Sequence, residues 1–174
     1  MADALGKLES MGLELPSPAG AVANYVPFTR TALPGGSALV HISGQISRIG
    51  ADTVSGHLGR DLSLEDGVRA ARLCALNLLA QMRAAGGGGD ALDRVRVLKL
   101  GGFVQAVPEA DGALVPQIVN GASDLLVEVL GERGRHARAA VSCPVLPLGC
   151  AVEIDAVVSF DAVPGAAPGT TPNA

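Results

Sequence analysis

The stretch VNGASDLLVEVLGERGRHARAAVSCPVLPLGCAVEIDAVV, residues 119–158, holds two periodicities and a turn, and that pattern decides the fold. Val119, Ala122, Leu125, Leu126 and Val129 recur at three- and four-residue spacing, the signature of a helix with one apolar face. Pro116 stands in the first turn of that helix, where its missing N–H costs nothing, and Gly131 closes it. Ala137 to Cys143 then reads as a strand, and a turn around Pro147 and Gly149 leads into a second, Cys150 to Phe160. In that last strand Val152, Ile154, Ala156 and Val158 share one face while Glu153 and Asp155 share the other.

Upstream, Leu92 to Val107 is predicted as another strand, rich in Val and Leu. Before it, Ser63 to Ala85 is the clearest helix. Ser63 can cap it with Asp66 three residues on, and Val68, Ala71, Ala75, Leu78, Leu79 and Met82 form its stripe, which the four glycines from Gly86 end. Residues 50–61 read as a loop with room for one short strand. Tyr25 to Ser43 reads as a β-hairpin turning at Leu33-Pro34-Gly35-Gly36. Residues 1–19 are expected to be a helical extension, with Leu5, Leu8 and Met11 at helical spacing until Pro16 and Pro18 stop the pattern. The domain proper spans 20–161, and 162–174, mostly Pro, Gly, Ala and Thr, is expected to be a disordered tail. The order hairpin, helix, strand, helix, strand, strand predicts an α+β fold with both helices on one face of a single sheet. The other face must find cover, and other copies of the chain can supply it.

Composition narrows the functional classes. The chain of 174 residues is 48% hydrophobic and 17% charged, with no Trp, one Tyr and three Phe, so its core rests on small and aliphatic side chains. A net charge of -4 disfavours a nucleic acid as main partner, since phosphate affinity comes from clustered Lys and Arg. Cys74, Cys143 and Cys150 lack a CxxC spacing and read as free thiols of a reducing compartment. No export signal or membrane-length apolar run is present, and a cytoplasmic location is expected. Phosphate-cradling and nucleophile-elbow motifs are missing, and His41, His57 and His136 match no metal-ligand spacing.

What remains is a set of polar residues at element ends. Arg138 opens a strand of small apolar residues and could grip a carboxylate through two parallel hydrogen bonds, or form a surface ion pair. Glu153 lies mid-strand, where a carboxylate could activate water or simply face solvent. Asn120 falls in the first turn of the second helix, where a capping contact is the plainer role, and Tyr25 could be a hairpin edge residue.

Taken together, GAVANYVPFTRTA, LVHISGQIS, VNGASDLLVEVLGERGRHARAAV and LPLGCAVEIDAV, in this order, resemble the RidA/YjgF-like superfamily, also called the L-PSP endoribonuclease family. The resemblance runs from about Gly20 to Phe160 and best fits the longer subgroup with an N-terminal extension. It implies a chorismate-mutase-like fold, a mixed sheet with two helices on one face, assembled as a homotrimer with clefts between subunits. It also implies hydrolysis of reactive enamines and imines to 2-oxo acids and ammonia, without a cofactor. On the matching positions, Arg138 would bind the substrate carboxylate and Glu153 would attend the water; Tyr25, Asn120 and the Ser43-Gly44-Gln45 turn would line the cleft. Ala139 and Ala140 depart from the pattern, which has a small polar residue and then Cys, Ser or Thr after the arginine. Cys143, an odd number of residues from Arg138, should face the other way. That departure keeps open a trimer that binds small carboxylate metabolites without turnover. An endoribonuclease or translation-inhibiting role rests on Arg133, Arg135, His136 and Arg138 alone.

Overall fold

The computed structural model describes residues 3–162; apart from Ala162, the tail expected at 162–174 lies outside them. Five strands form one mixed sheet: β1 (Phe28–Ala32), β2 (Ala38–Ile46), β5 (Val95–Gln105), β6 (Ala137–Cys143) and β7 (Val152–Phe160). Their order across the sheet is β1-β2-β7-β5-β6. Only the β5–β6 pair is parallel, because a helix carries the chain back between them. Two further strands, β3 (Arg48–Ile49) and β4 (Asp52–Thr53), make a small separate ribbon where one short strand was expected.

Helices α2 (Leu64–Ala85) and α4 (Leu114–Leu130) pack side by side on one sheet face. Ser63 caps α2 as its sequence suggests, its hydroxyl accepting from the Asp66 amide. The two helices approach closely because Gly67 and Gly121 carry no side chain: a Cβ on Gly67 would come within 2.7 Å of Ile118. Between helices and sheet lies a core of Leu, Ile, Val and Ala, with Leu78, Leu79, Leu125, Ile154 and Val158 all fully buried. Phe160 is the large aromatic in it, and Arg30 stacks on its ring at 5.7 Å.

Four boundaries differ from the sequence pattern. Ala91–Arg94 is a helical turn, α3, and strand pairing begins at Val95, opposite Phe160, the last residue of the neighbouring strand. Helix α4 starts at Leu114, so Asn120 sits in its second turn, outside capping range. Cys150 and Ala151 precede β7, where a tight Pro147–Gly149 turn has yet to straighten. The N-terminal helix α1 is Ala4–Ser10, shorter than the apolar pattern. Ala4 and Leu8 are buried with the main core, and the Ala4 amide donates to Asp93 Oδ1 at 2.9 Å.

Among the described residues no helix covers the opposite sheet face. The alternation foreseen in β7 holds: Val152, Ile154, Ala156 and Val158 are buried under the helices, and Glu153 and Asp155 point away from them. Beside them the bare face presents Phe103 and an exposed Val141. A helix-free sheet face that mixes such apolar side chains with His41, Lys99 and Asp155 is a surface that association could cover. Among the described residues no helix is long and apolar enough to cross a membrane.

Candidate functional site

The expected site residues fall into two groups on opposite faces of the sheet. Glu153, Gly44 and Tyr25 line one cavity, of about 580 Å³, together with Gln45, Asn77 and Leu148. Arg138 and Asn120 form the other group, against α4. Within one subunit Glu153 and Arg138 are separated by strand β5 and by the thickness of the sheet.

The Glu153 cavity is built by a flaw in the β2–β7 pairing. Register slips between Ile42 and Gln45, and the bulge puts Gly44 directly under the Glu153 side chain. A methyl on Gly44 would lie 2.9 Å from Glu153 Cδ and closer still to Oε1. The Ser43 hydroxyl donates to Val26 O at 2.8 Å and its amide to Pro27 O, tying the Tyr25 segment to the strand. Tyr25 is therefore a loop residue ahead of β1, and about half its surface is exposed to the cavity and solvent. Asn77, from α2, donates to Ile46 O and Arg48 O and fixes the far wall.

Glu153 makes no hydrogen bond or ion pair with any described residue. Burial, and secondarily the charge of Asp155, raise its pKa above the usual glutamate value. A half-buried carboxylate without a partner suits proton transfer better than structural pairing.

Two residues here escaped the sequence reading. Gln105, at the end of β5, is buried; its Oε1 accepts from the Leu146 amide at 2.7 Å and its Nε2 donates to Gly56 O at 3.1 Å. It pins the loop that presents Leu148, whose φ of 57° is the single positive value among described non-glycine residues. Leu148 is also largely exposed at the cavity edge, an expensive placement for a leucine. A polar residue at the end of an apolar strand was the only clue to Gln105, and nothing in the sequence marks Leu148.

Arg138 is held against α4 by Pro116, Asn120 and Ser123, which share one face of the helix. Its Nη1 donates to Asn120 Oδ1 at 2.9 Å and to Ser123 Oγ at 3.0 Å, and its Nη2 to Pro116 O at 3.3 Å. Its Nε–H makes no hydrogen bond among the described residues, which leaves donor capacity for an incoming anion. Behind it, His136 Nε2 lies 3.0 Å from Ser123 Oγ. Cys143 opens to the other face, as alternation requires, and is held as a thiol by burial and then by the charge of Glu153. Ala140 follows Arg138 on the helix side and Ala139 lies on the bare side, so neither offers the arginine a polar neighbour. Of the basic cluster, Arg133 is paired with Asp161 at 2.7 Å and Arg135 with Glu132 at 2.8 Å. Among the described residues no group of acidic, His and Cys side chains could hold a metal.

This two-part arrangement sits on a sheet shared with known proteins. The family model described as "YjgF/chorismate_mutase-like, putative endoribonuclease" matches residues 6–158. The chain belongs to the YjgF/chorismate mutase-like family. Protein TCP17 of Trypanosoma cruzi is 41% identical over 158 residues, covering 88% of this chain and 92% of that protein. The crystal structure of Atu1372 from Agrobacterium tumefaciens is 46% identical, with a TM-score of 0.78 over 91% of this chain and 92% of its own. The crystal structure of "a putative endoribonuclease" from Shewanella oneidensis is 32% identical, with a TM-score of 0.77 over 92% of this chain and 99% of its own. The match begins at residue 6, within α1, whose Ala4 and Leu8 are buried with the main core.

Proposed function

We propose that this chain hydrolyses reactive enamines and imines to 2-oxo acids and ammonia, without a cofactor, in clefts completed by neighbouring copies in a homotrimer. The observation that carries the reading is Glu153: an unpaired, half-buried carboxylate with a raised pKa, facing a cavity large enough for a small metabolite. Arg138 supports it as an anchor with an unused Nε–H on an edge strand, where a second subunit can approach. Because the two groups lie on opposite faces of one chain, each cleft would take its arginine from one subunit and its glutamate from another. Tyr25 and Gly44 belong to the glutamate half and Asn120 to the arginine half.

The chemistry asks little of the protein. A protonated imine is already electrophilic at carbon. Arg138 fixes the substrate carboxylate, worth about 1.5–3 kcal/mol for a charge-assisted bond. Glu153 takes a proton from water as its oxygen adds to that carbon, giving a carbinolamine. The same proton then goes to the amine nitrogen; as the C–N bond breaks and ammonia leaves, the regenerated Glu153 carboxylate takes the hydroxyl proton and the 2-oxo acid forms. Positioned acid–base assistance of this kind adds about 10²–10⁴-fold. Free thiols at Cys74, Cys143 and Cys150 fit a cytoplasmic setting.

A dehydratase that generates the imine in situ, coupled to a measurement of its disappearance, tests the reading. Arg138→Ala should abolish the acceleration; unchanged turnover would sink it. A second reading, a trimer that binds small carboxylates without turnover, draws on the alanines at 139 and 140. Calorimetry showing tight 2-oxo acid binding with no product would select it. The pairing of Arg133 and Arg135 with acidic neighbours removes most of the support for RNA as substrate.

A further inference from the structure

Arg138 can orient a carboxylate only if its own fork is held still, and the hydrogen bonds behind it have a direction that chemistry dictates. His136 Nδ1 lies 2.6 Å from Gly134 O. A carbonyl oxygen only accepts, so Nδ1 carries the proton. In the neutral ring Nε2 then has a lone pair and can only accept, from Ser123 Oγ at 3.0 Å. Ser123 has one hydroxyl proton, and this geometry commits it to His136. The hydroxyl's lone pairs are thereby turned toward Arg138 Nη1, also 3.0 Å away. Burial, outweighing the Gly134 carbonyl, lowers the pKa of His136, with the Arg138 charge acting in the same direction, so the ring is neutral at neutral pH.

We propose that Ser123 and His136 are positioning residues of the carboxylate site, and that the directed chain from Arg138 through Ser123 to His136 sets the guanidinium for its ligand. This rests on the reading of Arg138 as the carboxylate anchor. Ser123 lies in the interior of α4, where a serine without another acceptor turns its hydroxyl to the carbonyl four residues back. His136 prevents that turn. The Nη1 end of the fork is then tied to Ser123 and Asn120, and the Nε–H side stays open for the anion.

Two measurements on the full-length protein decide it. In nitrogen-15 spectra of the imidazole rings, His136 should appear as the neutral Nδ1–H tautomer, with pyruvate shifting its signals. An Nε2–H ring would overturn the proposal without any variant being made. In calorimetry with pyruvate, Ser123→Ala and His136→Leu should each weaken binding about tenfold, the loss of one hydrogen bond to a charged group. His136→Gln, whose carbonyl can take the serine proton, should recover most of that, to within about threefold of wild type. Wild-type affinity in Ser123→Ala and His136→Leu, with binding lost in Arg138→Gln, would refute the positioning chain alone. Undiminished binding in Arg138→Gln would instead refute the anchor on which it rests.

Discussion

Replacing Gly44 by alanine should separate catalysis from folding more cleanly than changing any charged residue. The glycine is not in a left-handed conformation, so the backbone accepts alanine without strain. The new methyl would stand 2.9 Å from Glu153 Cδ and 3.1 Å from Cγ. Carbon atoms rest at about 3.5–4.0 Å, so the carboxyl group must retreat by about 1 Å or more. It can do so cheaply, because the clash is with the far end of a flexible, half-buried side chain, and the expected stability change is below about 1 kcal/mol. Its water would no longer be delivered in line, and a displacement of that size costs about 100-fold in rate. The assay is imine disappearance beside thermal unfolding of the same preparation. In an Glu153→Gln background Gly44→Ala should cost nothing further, because the group it displaces no longer acts. Full activity in Gly44→Ala would refute the assignment of Glu153, as would equal losses from Gly44→Ala in both backgrounds.

Glu153→Gln should itself slow turnover about 10²–10⁴-fold, leaving a measurable remainder, yet raise the melting temperature at neutral pH. The folded-state pKa of Glu153 is raised, so the native state holds its proton more tightly than the unfolded chain does, and the carboxylate weakens folding fully only above that raised pKa. The advantage of the amide should fade as the pH falls through the raised folded value and be gone only below about pH 4, under the unfolded pKa, where the acid is protonated in both states; pH-dependent thermal melts check the sign. Gln105→Leu leaves the Leu146 amide and Gly56 carbonyl without their partner. It should cost about 1–3 kcal/mol in denaturant unfolding and lower activity through the Leu148 loop.

Much of the architecture was legible because burial is periodic. The stripes of α2 and α4 and the alternation in β7 are direct records of which side chains face the core, and the structure buries all of them except Val68, which is half-buried. Boundaries were less legible. Val95 marks the start of pairing only because a neighbouring strand reaches that far, and Leu114 begins α4 two residues before the proline that announced it. The site was legible in part: Glu153 and Arg138 could be singled out, but not the partners that give them meaning. Ser123 looked like one more residue of a helix, and His136 like a member of a basic loop.

Sequence alone determined the two helices, the strand faces and the residue types available for chemistry, since these depend on spacing along the chain. Only the tertiary structure decided that Glu153 and Arg138 lie on opposite faces, that a bulge clears room at Gly44, and that His136 directs Ser123 toward the guanidinium. The physical reason is distance in sequence. Position along one strand says which face a side chain takes, but strand order and register decide what it meets there, and those arise from pairings between residues more than a hundred positions apart, as in β2 with β7.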